Sequence, residues 1–374
     1  MVFNGKFCRQ VIRDIVMSSM AVEILSASLA SAASIPADSS YIQYFGRWDK
    51  QPQCQVTGQG AVYIKANFTG TSLKADLGGS QEVWWRVSID NGPFRRFKAS
   101  GKQTVLAEHL AKGAHKVLLV RSTEGEVGLS TFGGFRLDKR AKLLPPDKLK
   151  SRRLEFVGDS ITAGAFNDRM QPGKYHDKED NNQAYGPILS RMLGADYSIL
   201  ARSGEGVVMN YREKDPKTEL HTAGRYVRTF CETQNPEEYN PFWDSRKFPV
   251  DAVIVSIGTN DFSLNHEPPG RYYFESGYRS LLQEIRTMNP GKPIICVAPI
   301  PSIIGTKCAN WEANAVQTLK EAGEKDLYFI PVNDEGPLLS SDDFAGDDTH
   351  PIDKGHQKIA EFLKDKVATI LGWK

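Results

Sequence analysis

The sequence predicts two structural halves. The first, residues 38–142, is an all-β sandwich of jelly-roll-like character, and the second, residues 143–374, is an α/β domain with a central parallel sheet. Three observations carry this reading. From about Tyr41 to Asp138 the chain is a series of short runs separated by glycine turns, the pattern of packed antiparallel strands. A charged connector with paired prolines, KRAKLLPPDKLKSRR, follows. Beyond it strands and helices alternate, which means parallel strands covered by helices.

In the first half, AVYIKANF, SLKADL, EVWWRVSID, TVLAEHL, HKVLLVRST and FGGFRLD are the strand candidates. Val83, Trp85, Val87 and Ile89 alternate with Trp84, Arg86 and Ser88, so one face is apolar. Asp90-Asn91-Gly92 is the strongest hairpin signal in the chain. In the second half LEFVG, DYSILA, VDAVIVSIG, KPIICVAPI and LYFIPV are strands. VDAVIVSIG is a near-continuous β-branched run, the mark of a central parallel strand. YGPILSRML, YRSLLQEIRTM and ANAVQTLKEAG are helices, and a last helix from Asp353 carries Ile359, Phe362, Leu363, Val367 and Ile370 on one face, with Asp353 as its natural N-cap. Arg212 to Pro249, rich in Asn, Pro, Glu and aromatics, reads as a loop insertion shaping a cleft.

Residues 1–33 read as a secretory signal. Lys6, Arg9 and Arg13 precede a moderately apolar stretch, interrupted by Glu23, and Ala30-Ser31-Ala32 has the small-x-small pattern of a signal-peptidase site. This places the protein outside the cytoplasm, secreted or periplasmic. Nothing else is apolar for long enough to span a membrane. The net charge of +2 and the lack of a basic stripe exclude a nucleic-acid partner. No obligate protein partner is implied. Of five cysteines, Cys8 leaves with the signal. The other four permit disulfides in an exported protein, with Cys296 and Cys308 the nearest pair, or stay as buried free thiols. No Cys-x-x-Cys and no His-Glu-x-x-His is present, so no structural or catalytic zinc is expected; neither a metal nor an organic cofactor is assigned.

Ligands of open parallel sheets bind beyond the C-terminal strand ends. There the chain places Gly158-Asp159-Ser160, then ARSGEG with Ser203, Gly204 and Gly206, then Gly258-Thr259-Asn260-Asp261, and last GDDTHP with Asp347, Asp348 and His350. A serine hydroxyl needs a base within hydrogen-bond reach to become a nucleophile, and His350 can be that base. Asp347, three residues before it, can hold the other ring nitrogen. Backbone N–H groups of Ser160 and Gly204 and the Asn260 amide can donate to the negative oxygen of a tetrahedral intermediate.

FVGDSITAG, ARSGEG, IGTND and DDTHP resemble the four sequence blocks of the SGNH (GDSL-type) hydrolases, in that family's order. The resemblance implies Ser160 as nucleophile, His350 as base, Asp347 (alternatively Asp348) as its orienting acid, and an oxyanion hole of Ser160, Gly204 and Asn260. ARSGEG lacks the asparagine usual ahead of the glycine, which leaves Gly206 as an alternative donor. GTSLKADL, VSIDNG, LAKGAHKVLLVRSTEG and FGGFRLD, standing ahead of these blocks, resemble the family two carbohydrate esterases. That implies removal of acetyl groups from plant cell-wall polysaccharides such as xylan or glucomannan, with acetylated carbohydrate as the binding partner. The alternatives are a GDSL-type lipase or thioesterase, or a glycan-binding protein with secondary esterase activity. Trp243, Tyr272 and Trp311 lie in loop-like stretches and are candidates for stacking on sugar. Asp159 and Asp261 read as loop anchors, and His356 as a residue without chemistry.

Overall fold

The computed structural model describes residues 33–99, 101–216, 219–231, 239–263 and 268–373. They belong to one compact unit, Ala32–Lys374. The expected secretory signal and Cys8 lie outside the described residues.

Among the described residues, twelve strands build the first half: β1 Ala33–Pro36, β2 Gln43–Phe45, β3 Asp49–Lys50, β4 Gln55–Thr57, β5 Tyr63–Gly70, β6 Leu73–Gly79, β7 Trp84–Ile89, β8 Arg95–Lys98, β9 Thr104–Ala107, β10 Gly113–Arg121, β11 Ser130–Leu137 and β12 Leu143–Leu144. One antiparallel sheet runs β3-β4-β11-β6-β9, with β1 also on β11. The other runs β12-β5-β10-β7-β8, with β2 on β5. A shared core between them takes Leu73, Phe132 and Phe135 from the first and Ile64, Trp85 and Leu119 from the second. Asp90 and Asn91 both have positive φ (53° and 60°), and the Gly92 N–H donates to the Ile89 carbonyl. This is the tight turn that joins β7 to β8 with right-handed twist. The connector's Leu143–Leu144 pairs with β5 and so extends the second sheet.

The second half begins with β13 Arg153–Gly158 and α1 Ser160–Ala163. It continues through α2 Tyr185–Met192, β14 Asp196–Ala201, α3 Thr222–Tyr226, β15 Ala252–Ser256, α4 Arg271–Met288, β16 Ile294–Val297, α5 Thr306–Glu321, β17 Leu327–Ile330 and α6 Asp353–Leu371. The five strands are parallel in the order β14-β13-β15-β16-β17. Every residue of β14 and β15 is buried, as a sheet covered by helices requires. Helix α6 starts at Asp353 with Ile352 as its cap residue, so Asp353 occupies the first turn instead of capping it. There its charge still complements the positive helix end. No helix among the described residues is long and apolar enough to cross a membrane.

Cys54, Cys231, Cys296 and Cys308 are free. The Cys296–Cys308 pairing is absent, because the Cys308 Sγ is directed at the Gly258 carbonyl (3.7 Å) and the Glu312 carboxyl (3.6 Å). Burial pushes the Cys296 thiol up to about 12 and the Cys308 thiol up as well. Neither is a reactive thiolate near neutral pH.

The halves share a continuous apolar seam. Phe45, Ala61, Tyr63 and Val120 of the sandwich pack into the cluster that holds Phe156, Tyr197 and Phe248. Polar groups inside it are paired: Arg47 with Glu155 at 3.0 Å, and the Tyr63 hydroxyl with Asp196 at 2.9 Å. Arg86 lies 2.6 Å from Asp180. This pairing is what burial of such groups demands.

Candidate active site

Strand β13 ends on Gly158 because nothing larger fits: a Cβ there would stand 2.4 Å from the Ser256 carbonyl oxygen and 2.1 Å from the Thr162 hydroxyl. Asp159 then caps α1, its Oδ1 accepting from the Ile161 N–H at 2.9 Å. Burial pushes its carboxyl up to about 6, against these hydrogen bonds. It is a loop anchor, as its position predicts. Ser160 becomes the first helical residue and lines the wall of a cleft.

His350 reaches this point from the far end of the chain. Its Nε2 lies 3.0 Å from Ser160 Oγ and its Nδ1 2.5 Å from Asp347 Oδ2. Asp347 Oδ1 also accepts from the backbone N–H groups of Thr349 (3.0 Å) and His350 (2.9 Å). Partial burial pushes the Asp347 carboxyl up, but the His350 side-chain and backbone hydrogen bonds outweigh it and hold the group down at about 2. Asp348 sits in the left-handed region (φ 53°) and lines a different surface hollow with Ser302 and Lys358. Of the two acids, the geometry brings Asp347 to the histidine.

Gly204 and Asn260 line the same cleft. The Gly206 N–H donates to Asn210 Oδ1 at 3.0 Å, and a Cβ there would stand 1.9 Å from the Met209 carbonyl oxygen. Gly206 is therefore a packing residue with its donor spent, which leaves Gly204 as the candidate. Asn260 gives one amide proton to the Glu205 carbonyl (2.8 Å) and has a second to offer. Asp261 ties the two loops together: it accepts from the N–H groups of Val207 (2.8 Å), Val208 (2.8 Å) and Met209 (3.0 Å). Burial pushes this carboxyl up to about 7, against the pull of those donors.

The cleft has a volume of about 790 Å³. Phe166, Tyr175, Tyr211 and Phe262 supply rings to its walls, and Ile303 and Ile304 add apolar surface. Phe166 packs edge-on to His350 with centroids 5.3 Å apart. The sequence does not mark these residues, because an aromatic in a loop carries no local sign of what it faces. The three aromatics that the sequence offers for stacking on sugar, Trp243, Tyr272 and Trp311, stand elsewhere. Trp243 is buried under the Arg47 guanidinium, 5.4 Å from its ring, where it fills the seam. Trp311 is half-buried behind the cleft, edge-on to Phe262 at 5.3 Å. Tyr272 is exposed on the first turn of α4 and is not part of the cleft wall. His356 is fully buried, and burial holds it down at about 3. Neutral, it accepts from the Tyr185 N–H at 3.2 Å.

One further polar group borders the cleft. Glu126 and His176 line it, and behind them are Glu124 and Glu179, both fully buried. Ligand atoms of Glu124, His176 and Glu179 lie within 4.8 Å of one another, a spacing that a metal ion could use. Here the imidazole is paired with the carboxyls around it: Nδ1 is 3.3 Å from Glu179 and 3.7 Å from Glu124, and Nε2 is 3.1 Å from Glu126. Burial pulls its pKa down, but the hydrogen bonds to Glu126 and Glu179 prevail and raise it to about 10.

Residues 44–146 match the family model described as carbohydrate esterase 2 N-terminal, and residues 156–358 match that of the GDSL-like lipase/acylhydrolase family. The chain is 29% identical over 347 residues to "Cellulase/esterase CelE" of Acetivibrio thermocellus, spanning 90% of this chain and 40% of that protein. It is 33% identical over 221 residues to an "Acetylxylan esterase / glucomannan deacetylase" of Cellvibrio japonicus, covering 57% of this chain and 58% of that one. The chain thus spans about half the length of these two relatives. Its fold superposes with a TM-score of 0.79 on a family two carbohydrate esterase from Clostridium thermocellum solved in complex with cellohexaose, at 28% identity, covering 89% of this chain and 100% of the other. With its five-stranded parallel sheet, this chain belongs to the GDSL-like lipase/acylhydrolase family, and the β-sandwich ahead of that sheet is similar to the N-terminal domain of carbohydrate esterase 2.

Proposed function

We propose that the protein is a serine esterase that removes O-acetyl groups from plant cell-wall polysaccharides or their oligosaccharides, with xylan and glucomannan as the substrate class. The observation that carries this is the line of contacts from Asp347 through His350 to Ser160 Oγ, at 2.5 and 3.0 Å, on a cleft shared with Gly204 and Asn260. His350 Nε2 takes the proton as Ser160 Oγ attacks the acetyl carbonyl carbon. The oxygen that becomes negative receives hydrogen bonds from the N–H groups of Ser160 and Gly204 and from the Asn260 amide. His350 then gives the proton to the departing sugar hydroxyl, leaving acetyl-Ser160. Water, activated by the same imidazole, releases acetate. Asp347 holds the ring in the tautomer this sequence needs and stabilises the imidazolium.

The choice of carbohydrate is supported by the ringed walls of the cleft, since aromatic faces suit pyranose rings, and by the printed names of the relatives. A polymeric substrate lies outside cells, which agrees with the signal-like start of the sequence and with a secreted or periplasmic protein. The test measures acetate release from acetylated xylan and acetylated glucomannan by wild type and Ser160→Ala, with acetyl and octanoyl esters of one alcohol alongside. Release by wild type alone supports the proposal. Equal activity of Ser160→Ala would overturn the nucleophile, and clear preference for octanoyl would replace the carbohydrate reading with a lipase.

A further inference from the structure

The oxyanion side of the centre is held by the other half of the protein. Residues 124–126 lie in the β10–β11 loop of the sandwich, yet they contact the residues just ahead of Gly204. The Glu124 carboxyl grips Ser203 at two points: Oε2 accepts from the Ser203 N–H at 2.6 Å, and Oε1 lies 2.6 Å from the Ser203 hydroxyl. The Tyr175 hydroxyl closes on that same Ser203 oxygen at 2.7 Å. Arg202 completes the hold. Its Nη1 donates to the Ser203 carbonyl at 3.2 Å, and its guanidinium is itself flanked by Glu126 (3.6 Å) and Glu205 (3.8 Å).

The geometry matters because the Ser203 carbonyl and the Gly204 N–H belong to one peptide unit. That unit is planar and trans, so its N–H points opposite its C=O. Fixing the carbonyl on Arg202 and the preceding N–H and hydroxyl on Glu124 therefore fixes the direction of the Gly204 donor. Gly204 has a φ of 76°, a region glycine enters at little cost and also leaves easily. A peptide beside such a residue can turn unless its neighbours hold it. Glu124 is fully buried and its own N–H donates to Glu179 at 2.9 Å, so the grip comes from a fixed base.

We infer that Glu124 is a positioning residue for ester hydrolysis: the sandwich reaches across the seam and aims the Gly204 N–H at the developing oxyanion. This rests on the esterase reading given above. The group never touches substrate, so its loss lowers the rate of the chemical step and leaves binding nearly intact. Removing an oxyanion donor outright costs on the order of 10²–10³-fold in kcat, and misaiming one costs less, about 10- to 100-fold.

The experiment measures kcat and KM on a small acetyl ester for wild type, Ser160→Ala, Glu124→Ala, Glu124→Gln and Ser203→Ala. The expected result is a kcat drop of about 10- to 100-fold for Glu124→Ala with KM within about threefold. Glu124→Gln keeps an oxygen for the Ser203 N–H and a polar partner for its hydroxyl, and recovers part of the loss. Ser203→Ala, which removes one of the two grips with little change in packing, lowers kcat several-fold and keeps the proposal testable should Glu124→Ala not fold. The inference is overturned if Ser203→Ala and any folded Glu124 variant keep wild-type kcat, or if the loss falls on KM alone. Full activity of Ser160→Ala would instead sink the nucleophile assignment, a different result from any of these.

Discussion

Replacing Arg47 by Met tests how the two halves are joined. Arg47 is fully buried and makes four hydrogen bonds: two to Glu155 Oε1, one to the Tyr226 carbonyl at 2.5 Å and one to the Arg228 carbonyl at 2.7 Å. Its guanidinium also lies over the Tyr226 and Trp243 rings, 4.9 and 5.4 Å from their centroids. Methionine fills much of the same space but removes the charge and every donor. Glu155 would keep the Tyr226 hydroxyl (2.8 Å) and the Ser198 hydroxyl (3.3 Å) as partners, with no countercharge. Breaking a buried pair from one side costs about 3–5 kcal/mol. At roughly 2–4 °C per kcal/mol for large domains, the melting temperature falls by roughly 6–20 °C. Thermal scans paired with urea titration at neutral pH measure it. The double variant Arg47→Met, Glu155→Leu removes both charges and regains most of the loss. A single-variant cost below about 1 kcal/mol, or a double variant less stable than the single, would refute the account of a seam held by a compensated buried charge.

Two more outcomes follow from the geometry. Asp347→Asn lowers kcat by about 10²–10⁴-fold because the ring loses the partner that sets its tautomer, whereas Asp348→Asn, at a left-handed position that asparagine tolerates, stays near wild type. Kinetics on a small acetyl ester decide, and the reverse ranking would move the orienting role to Asp348. His176 makes stability depend on alkaline pH: its folded pKa of about 10 exceeds its ordinary 6.5, so its contribution is complete below pH 6.5 and is lost as pH rises through 10. Melting temperature between pH 6 and 10 should fall more steeply in wild type than in His176→Gln, and parallel curves would contradict the raised value.

The parts legible in the sequence are those where a single pattern forces a single placement. β14 begins and ends where the apolar run DYSILA does, and the Asp90-Asn91 turn carries its own signal. The four blocks converge because parallel strands deliver their C-terminal ends to one edge. What was not legible depends on which way a side chain leaves the backbone. Asp347 and Asp348 are neighbours of one residue type, and a φ of 53° at Asp348 separates them. Gly204 and Gly206 look alike until the Asn210 side chain is seen to occupy the second one's N–H. Trp243 promised a sugar platform and instead stacks on an arginine from a strand-edge loop almost two hundred positions earlier. Glu124 and His176 meet only because the halves are packed together, and no local window spans that distance.

The shared seam also sets what can be exchanged between proteins of this build. Phe45 and Tyr63 stack face to face at 4.4 Å, and Tyr63 lies against Tyr197 across the boundary at 4.7 Å. Separating the halves at the proline-rich connector would bare this aromatic surface on both pieces and part the Asp196 and Glu155 carboxyls from Tyr63 and Arg47. The sandwich and the sheet domain are therefore a single cassette for recombination and for engineering. A graft that moves one must move the other, and a hybrid of two relatives should be joined at the outer ends of the pair, not at the linker between them.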